Sequence, residues 1–234
     1  MKQRVRFTKV GKIRFLSHRD LARIWERSLR RSGIRVAYSE GFSPRPRLSF
    51  GLALSTGHES LGEYLDIDLV EDLDPAELPG IVTPSLPEGM VAQIAIPIAP
   101  GIESLQQAVT SSSWRIELAG VSPMQVADAI AGANAAAELP IVVERKGNEV
   151  TFDARPAILA LRHDDLVIEA ELASQPRSLR PAELLRALDP TWGEGRVLRT
   201  HQWTLVDGAR CEPIPFGDPG TRGATSTPHA GARA

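Results

Sequence analysis

A chain of 234 residues, 42% hydrophobic and 24% charged, is long enough for one large domain or two small ones and apolar enough for a packed core. No run of about 18 apolar residues occurs, which argues against a helical membrane span, and the basic start "MKQRVRFTKVGKIRF" lacks the apolar stretch of a secretory signal. The net charge of −2 conceals an asymmetry: residues 1–50 hold 14 Lys/Arg against 3 Asp/Glu, and the remainder holds 13 against 26. Such a basic end either meets a polyanion or pairs with the acidic remainder.

In chain order, "RVRFTKV" alternates as a strand. Ser17 is a good N-cap, with Asp20 three residues on, and the spacing predicts a helix from about His18 to Ser32, stopped by Gly33. "IRVAYS", "RLSFGLAL" and "GEYLDIDLV" read as strands, "DPAELPGIV" as a short helix, and "MVAQIAIPI" as a closing strand. The order β-α-β-β-α-β is the split βαβ, or ferredoxin-like, arrangement. A similar order follows in "SWRIELAG", the Ala-rich helix after Ser122, hairpins around Gly147-Asn148 and Asp164-Asp165, the helix "RPAELLRAL" and the strand "VLRTHQWTLV". The expectation is an α+β protein of two tandem ferredoxin-like units, each an antiparallel sheet with helices on one face. Its domains would be residues 1–98 and 113–208, joined by a linker over 99–112 and followed by a disordered Gly/Pro-rich tail over 209–234.

The first helix carries the strongest functional signal. At about 100° per residue, Arg19, Arg23, Arg27, Arg30 and Arg31 share one stripe, while Leu21, Ile24, Trp25 and Leu29 point elsewhere. Five like charges on one stripe repel, and Asp20 and Glu26 relieve only part of that, so the stripe suits phosphates that guanidinium groups grip bidentately. The plainer alternative is a solvated helix face. The loop "EGFSPRPRLSFG" points the same way: Pro44 and Pro46 stiffen the chain, Arg45 and Arg47 project from it, and Phe42 could stack on a base. Lys12 and Arg14, just before the helix, extend the basic set.

Motifs for other chemistry are missing. The sequence has no P-loop, no G-x-G-x-x-G, no H-E-x-x-H and no C-x-x-C, and its five histidines lack metal-ligand spacing. Neither a metal nor a cofactor is expected. Cys211, the single cysteine, excludes an internal disulfide, cannot alone hold an iron–sulfur cluster, and fits a reducing cytoplasm. One catalytic candidate survives: His18 at the helix start, with Lys12 and Arg14 near in sequence, could serve metal-free RNA cleavage through a 2′-hydroxyl. The competing reading of His18 is a residue that only fills the first turn.

The stretch from "KVGKIRFLSHRDLARIWERSLRRSG" through "EGFSPRPRLSFGLALSTGHESLGEYLDIDL" resembles the start of the bacterial radical-SAM-linked family, a domain of unknown function found alone or behind a cobalamin-binding-type radical SAM domain. "VTFDARPAILAL" and "SLRPAELLRAL" are similar to its later blocks, so the resemblance covers roughly residues 1–200. Members more often have Leu after the Ser-His pair and an Asn-Pro-His-Pro loop. Arg19 and "SPRP" stand in those places here, which makes the patch more basic and removes a loop histidine. At fold level the chain also resembles ferredoxin-like CRISPR repeat-processing proteins. The resemblance implies work on RNA or the translation machinery beside a radical SAM protein. The leading expectation is therefore a cytoplasmic accessory protein that binds tRNA or rRNA through Arg19, Arg23, Arg27, Arg30, Arg45, Arg47 and Phe42, with Lys12 and Arg14. The alternatives are a metal-independent endoribonuclease using His18 and an interaction module that docks on an acidic protein.

Overall fold

The computed structural model describes residues 1–99, 101–145 and 147–214. The first strand, β1 (Lys2–Lys9), leads through a 3-10 turn at Gly11–Phe15 into α1 (His18–Arg31). Ser17 Oγ accepts the Asp20 N–H at 3.2 Å and donates to the Asp20 carboxylate at 2.7 Å. These bonds fix where the helix starts. Gly33, at φ 74°, ends it in the left-handed region that a Cβ penalises. Next come β2 (Leu48–Phe50), β3 (Glu59–Asp68), α2 (Leu78–Val82), β4 (Ala92–Pro97) and α3 (Leu105–Ala108). The second half runs β5 (Val109–Glu117), α4 (Pro123–Ala135), β6 (Pro140–Arg145), β7 (Asn148–Asp153), β8 (Ile158–Asp164) and β9 (Val167–Ala173). It ends with α5 (Pro181–Leu188), β10 (Val197–Val206) and β11 (Ala209–Cys211).

Nine of these strands form one sheet in the order β4-β1-β3-β10-β5-β9-β8, with β2 added to β3 and β11 to β10, while β6 and β7 pair separately. The chain is thus a mixed α/β protein built on a large sheet that is antiparallel except where β10 runs parallel to β3 through Leu198↔Glu59 and Arg199↔Ser60. This corrects the expectation of two separate sheets. β2 covers β3 only along Leu65–Ile67, which leaves the other end of that edge free. An open edge of unpaired N–H and C=O groups is a template for another strand, and β10 takes it.

Register shows which side chains share a face. Phe7 lies opposite Glu63, Lys9 opposite Ser60, Ser60 beside Arg199, and Arg199 opposite Trp114. On this face Leu21, Trp25 and Leu29 of α1, with Leu78 and Val82 of α2, cover Val5, Phe7, Leu65 and Ile67. Further along it, α4, α5 and β6 close a second core over Trp114, Ile116, Ile168 and Leu172. On the opposite face Leu105 and Ile214 pack on Tyr64, with Ile94 and Ile96 against them. The linker expected over 99–112 is therefore shorter, because α3 and the start of β5 occupy its end. The tail expected from residue 209 begins instead with β11 and the buried Ile214. The remainder of that tail, 215–234, lies outside the described residues.

Candidate nucleic-acid interface

Burial of one side of α1 sets what the other side shows. Trp25 is fully buried and meets Phe7 edge-on at 5.0 Å between ring centroids. Arg19, Arg23, Arg27, Arg30 and Arg31 are consequently exposed, all five. Arg23 pairs with Asp20 at 3.5 Å and Arg30 with Glu26 at 3.0 Å, one turn away on the same helix. Exposed pairs of this kind are weak and release readily to a stronger anion. Arg19, Arg27 and Arg31 have no carboxylate partner among the described residues.

The Pro-rich loop is a tongue anchored at its base. Tyr38 and Pro46 bridge, Ser39 N–H donates to Arg45 O at 2.8 Å, and Arg47 N–H donates to Ala37 O at 2.8 Å. Gly41 turns the tip at φ 116°, next to a fully exposed Phe42. Arg45 is exposed, and Arg47 reaches Asp68 at 3.7 Å. A groove of about 460 Å3 is lined by Glu26 and Arg30 of α1 together with Tyr38 and Pro46 of the tongue's base. Folding thus brings the arginine helix and the Pro-rich loop to one place. Tyr38 is half-exposed in that groove.

The remaining sequence-chosen residues divide. Lys12 is exposed in the 3-10 turn. Arg14 is partly committed to the fold: it lies 3.8 Å from Glu59 and stacks over Phe15 at 4.7 Å. His18 is exposed and edge-on to Phe50 at 5.2 Å, with no hydrogen bond or ion pair among the described residues. A general base needs a partner that fixes its orientation, and this one has none in place. The basic end also pairs with the acidic remainder, as its plainer reading supposed: Arg4 with Asp66, Arg6 with Glu212, and Arg35 with Glu71. That pairing takes up Arg4, Arg6 and Arg35 and leaves the arginines of α1.

A buried ionic band lies at the seam of the two halves, outside the set of residues that the sequence singles out. Lys9, Glu59, Glu63 and Arg199 are all buried there. Glu63 accepts from Arg199 Nη2 at 2.6 Å and Nε at 3.1 Å, and Lys9 Nζ donates to the carbonyls of Arg14 and Leu16, each at 3.2 Å. Burial pulls the Lys9 ammonium below its ordinary value, with Glu63 opposing and Arg199 adding to the shift. For Glu59, burial works to raise the carboxyl. The Arg196 hydrogen bond, the Gly11 N–H and the charges of Arg196 and Arg14 outweigh it and hold the group below its usual range. On the opposite face, burial and then Glu212 push the Tyr64 phenol well above its ordinary value. Part of the signal for the band was present in the sequence: Glu63 falls in step with Leu65 and Ile67 on the inward side of its strand, where a lone charge implies a buried partner. Among the described residues no group of three or more His, Cys, Asp or Glu side chains is placed to hold a metal ion.

A family model described as "Uncharacterized protein conserved in bacteria (DUF2344)" matches residues 2–181. The chain belongs to the DUF2344 family. The DUF2344 match takes in α1, the tongue and strands β1 to β9, and stops short of β10, which supplies Arg199. No curated protein matches the chain at a significant level. No described helix is long and apolar enough to cross a membrane.

Proposed function

We propose that this protein is a cytoplasmic RNA-binding accessory factor that works with a separate radical SAM enzyme in the modification or maturation of tRNA or rRNA. The observation that carries the RNA reading is the row Arg19, Arg27 and Arg31, exposed with no carboxylate partner among the described residues, on the helix whose Glu26 and Arg30 line the groove shared with the tongue's base. Guanidinium groups in such a row are best neutralised by a row of phosphates. Phe42 at the tongue's tip offers an aromatic face to an unpaired base, which suits looped or single-stranded RNA. The radical SAM partner rests on the resemblance of the first sixty or so residues to the radical-SAM-linked family. With one cysteine in the chain, cluster chemistry would be the partner's.

The finer fold reading belongs with this proposal. Strand order β4-β1-β3-β2 in the first half and β10-β5-β9-β8 in the second supports two ferredoxin-like units, fused edge to edge through β3 and β10. The test is RNA capture from the native host, followed by binding of the captured RNA over a salt series. Affinity is expected to fall steeply with salt. Binding that is indifferent to salt overturns the proposal. Incubation in EDTA with the same RNA is expected to leave it intact. Fragments ending in a 2′,3′-cyclic phosphate that disappear in His18→Ala would replace the accessory role with an endonuclease.

A further inference from the structure

A second concavity lies away from the arginine helix, where the two halves meet. It encloses about 190 Å3, with Ser112, Trp114 and Arg199 of the sheet as its floor and Ser55, Ser178 and Arg180 at its rim. The floor is deeply buried: Ser112 is 3% exposed, Trp114 8% and Arg199 1%. Two of its polar atoms are buried with no hydrogen-bond partner, Ser112 Oγ and Trp114 Nε1. Leaving such groups unmet is costly, so they call for a ligand atom or for solvent. Arg199 spends Nε and Nη2 on Glu63 and on Leu52 O, and among the described residues its Nη1 has no acceptor. No Asp or Glu lines the cavity. In the band behind it, Lys9 and Arg199 face Glu63 alone, because Glu59 is occupied by Arg196, Arg14 and the Gly11 N–H.

We infer that this seam cavity binds a small phosphate group. Every polar side chain around it can donate, one is a guanidinium with a free arm, and the charge left over in the band is positive. A tetrahedral oxyanion meets all three conditions, because its oxygens accept in several directions and its charge offsets the surplus. The volume leaves room for a small organic part beside the phosphate. The phosphate could belong to a free monoester or to the 5′ end of a nucleic acid.

Nuclear magnetic resonance of the full chain tests this through the tryptophan indole N–H signals. The chain has four tryptophans, and Trp114→Phe identifies the signal of Trp114. Inorganic phosphate, titrated against chloride at constant ionic strength, is expected to move the Trp114 indole saturably and leave the Trp25 indole in place. Ser112→Ala and Arg180→Ala should each weaken that titration at least about fivefold, whereas Arg27→Ala should not change it. A parallel titration uses a short oligoribonucleotide with and without a 5′-phosphate. A response to phosphate and to neither oligonucleotide assigns a free monoester, and a response confined to the 5′-phosphorylated oligonucleotide assigns a nucleic-acid end. No saturable response to any of these probes overturns the site, as does a response that Ser112→Ala and Arg180→Ala leave unchanged.

Discussion

Arg27 stands on the outer side of α1 with no carboxylate partner among the described residues, while Arg199 is buried and held through Nε and Nη2 by one oxygen of Glu63. Their substitutions should therefore separate two kinds of measurement. Arg19→Ala and Arg27→Ala are expected to leave the melting temperature in place, to weaken RNA binding, and to lower the slope of log affinity against log salt by about one each. Glu63→Ala strands a buried guanidinium and should cost about 3–5 kcal/mol in urea unfolding, with the salt slope of the remaining folded protein unchanged. Phe42→Ala should weaken binding to single-stranded RNA by about 1–3 kcal/mol and leave duplex binding alone, as stacking requires an unpaired base. Equal losses on both substrates would remove Phe42 from the interface.

At the scale of elements, local patterns were legible and edges were not. α1 follows its sequence signals closely, because a cap and a glycine bound it, and β10 spans the whole stretch "VLRTHQWTLV" read as a strand. "IRVAYS", read as a strand, forms only the isolated bridges Val36↔Leu69 and Tyr38↔Pro46. "RLSFGLAL" shortens to Leu48–Phe50. There Gly51 turns beneath Tyr64, its N–H donating to Tyr64 O at 3.0 Å, and β10 takes the rest of the edge. No local pattern encodes a competitor nearly 150 residues away, and for the same reason the groove between α1 and the tongue could be suspected only as two separate basic segments. A close backbone approach was equally hidden. Gly89 sits at φ 90°, where it and Val91 accept the Val10 and Thr8 N–H groups at the end of β1, and a Cβ there would lie 2.1 Å from Val10 O. Gly89→Ala should therefore destabilise the protein by at least about 2 kcal/mol and displace the Gly11–Phe15 turn that carries Lys12. Calorimetry reads the first effect and RNA binding the second.

Across the whole molecule, the seam makes stability sensitive to acid. Glu59 is held below its ordinary value of 4.5, so its contribution is complete above that value and is lost as pH falls through the lower folded value. Urea midpoints measured from about pH 6 downward should drop more steeply for the natural protein than for Glu59→Gln. Parallel curves would show that Glu59 does not set the acid limit. The two halves should also fail to separate cleanly. Residues 1–98 alone would leave Glu63 without Arg199 and Tyr64 without Glu212 and Ile214. That fragment is expected to be insoluble or molten alone and to recover structure when produced together with residues 101–214.

Arg199 follows Glu63 by 136 residues, and the parallel β3–β10 seam closes only when both are present. At ribosomal speeds of about 5–20 residues per second, that separation is an interval of roughly 7 to 27 s. During it the first half is already synthesised, with Glu63 lacking Arg199 and the free edge of β3 open to any passing strand. Strand β10 therefore acts as a timer on the first half, and the nascent chain is a natural client for a holding chaperone until that strand emerges.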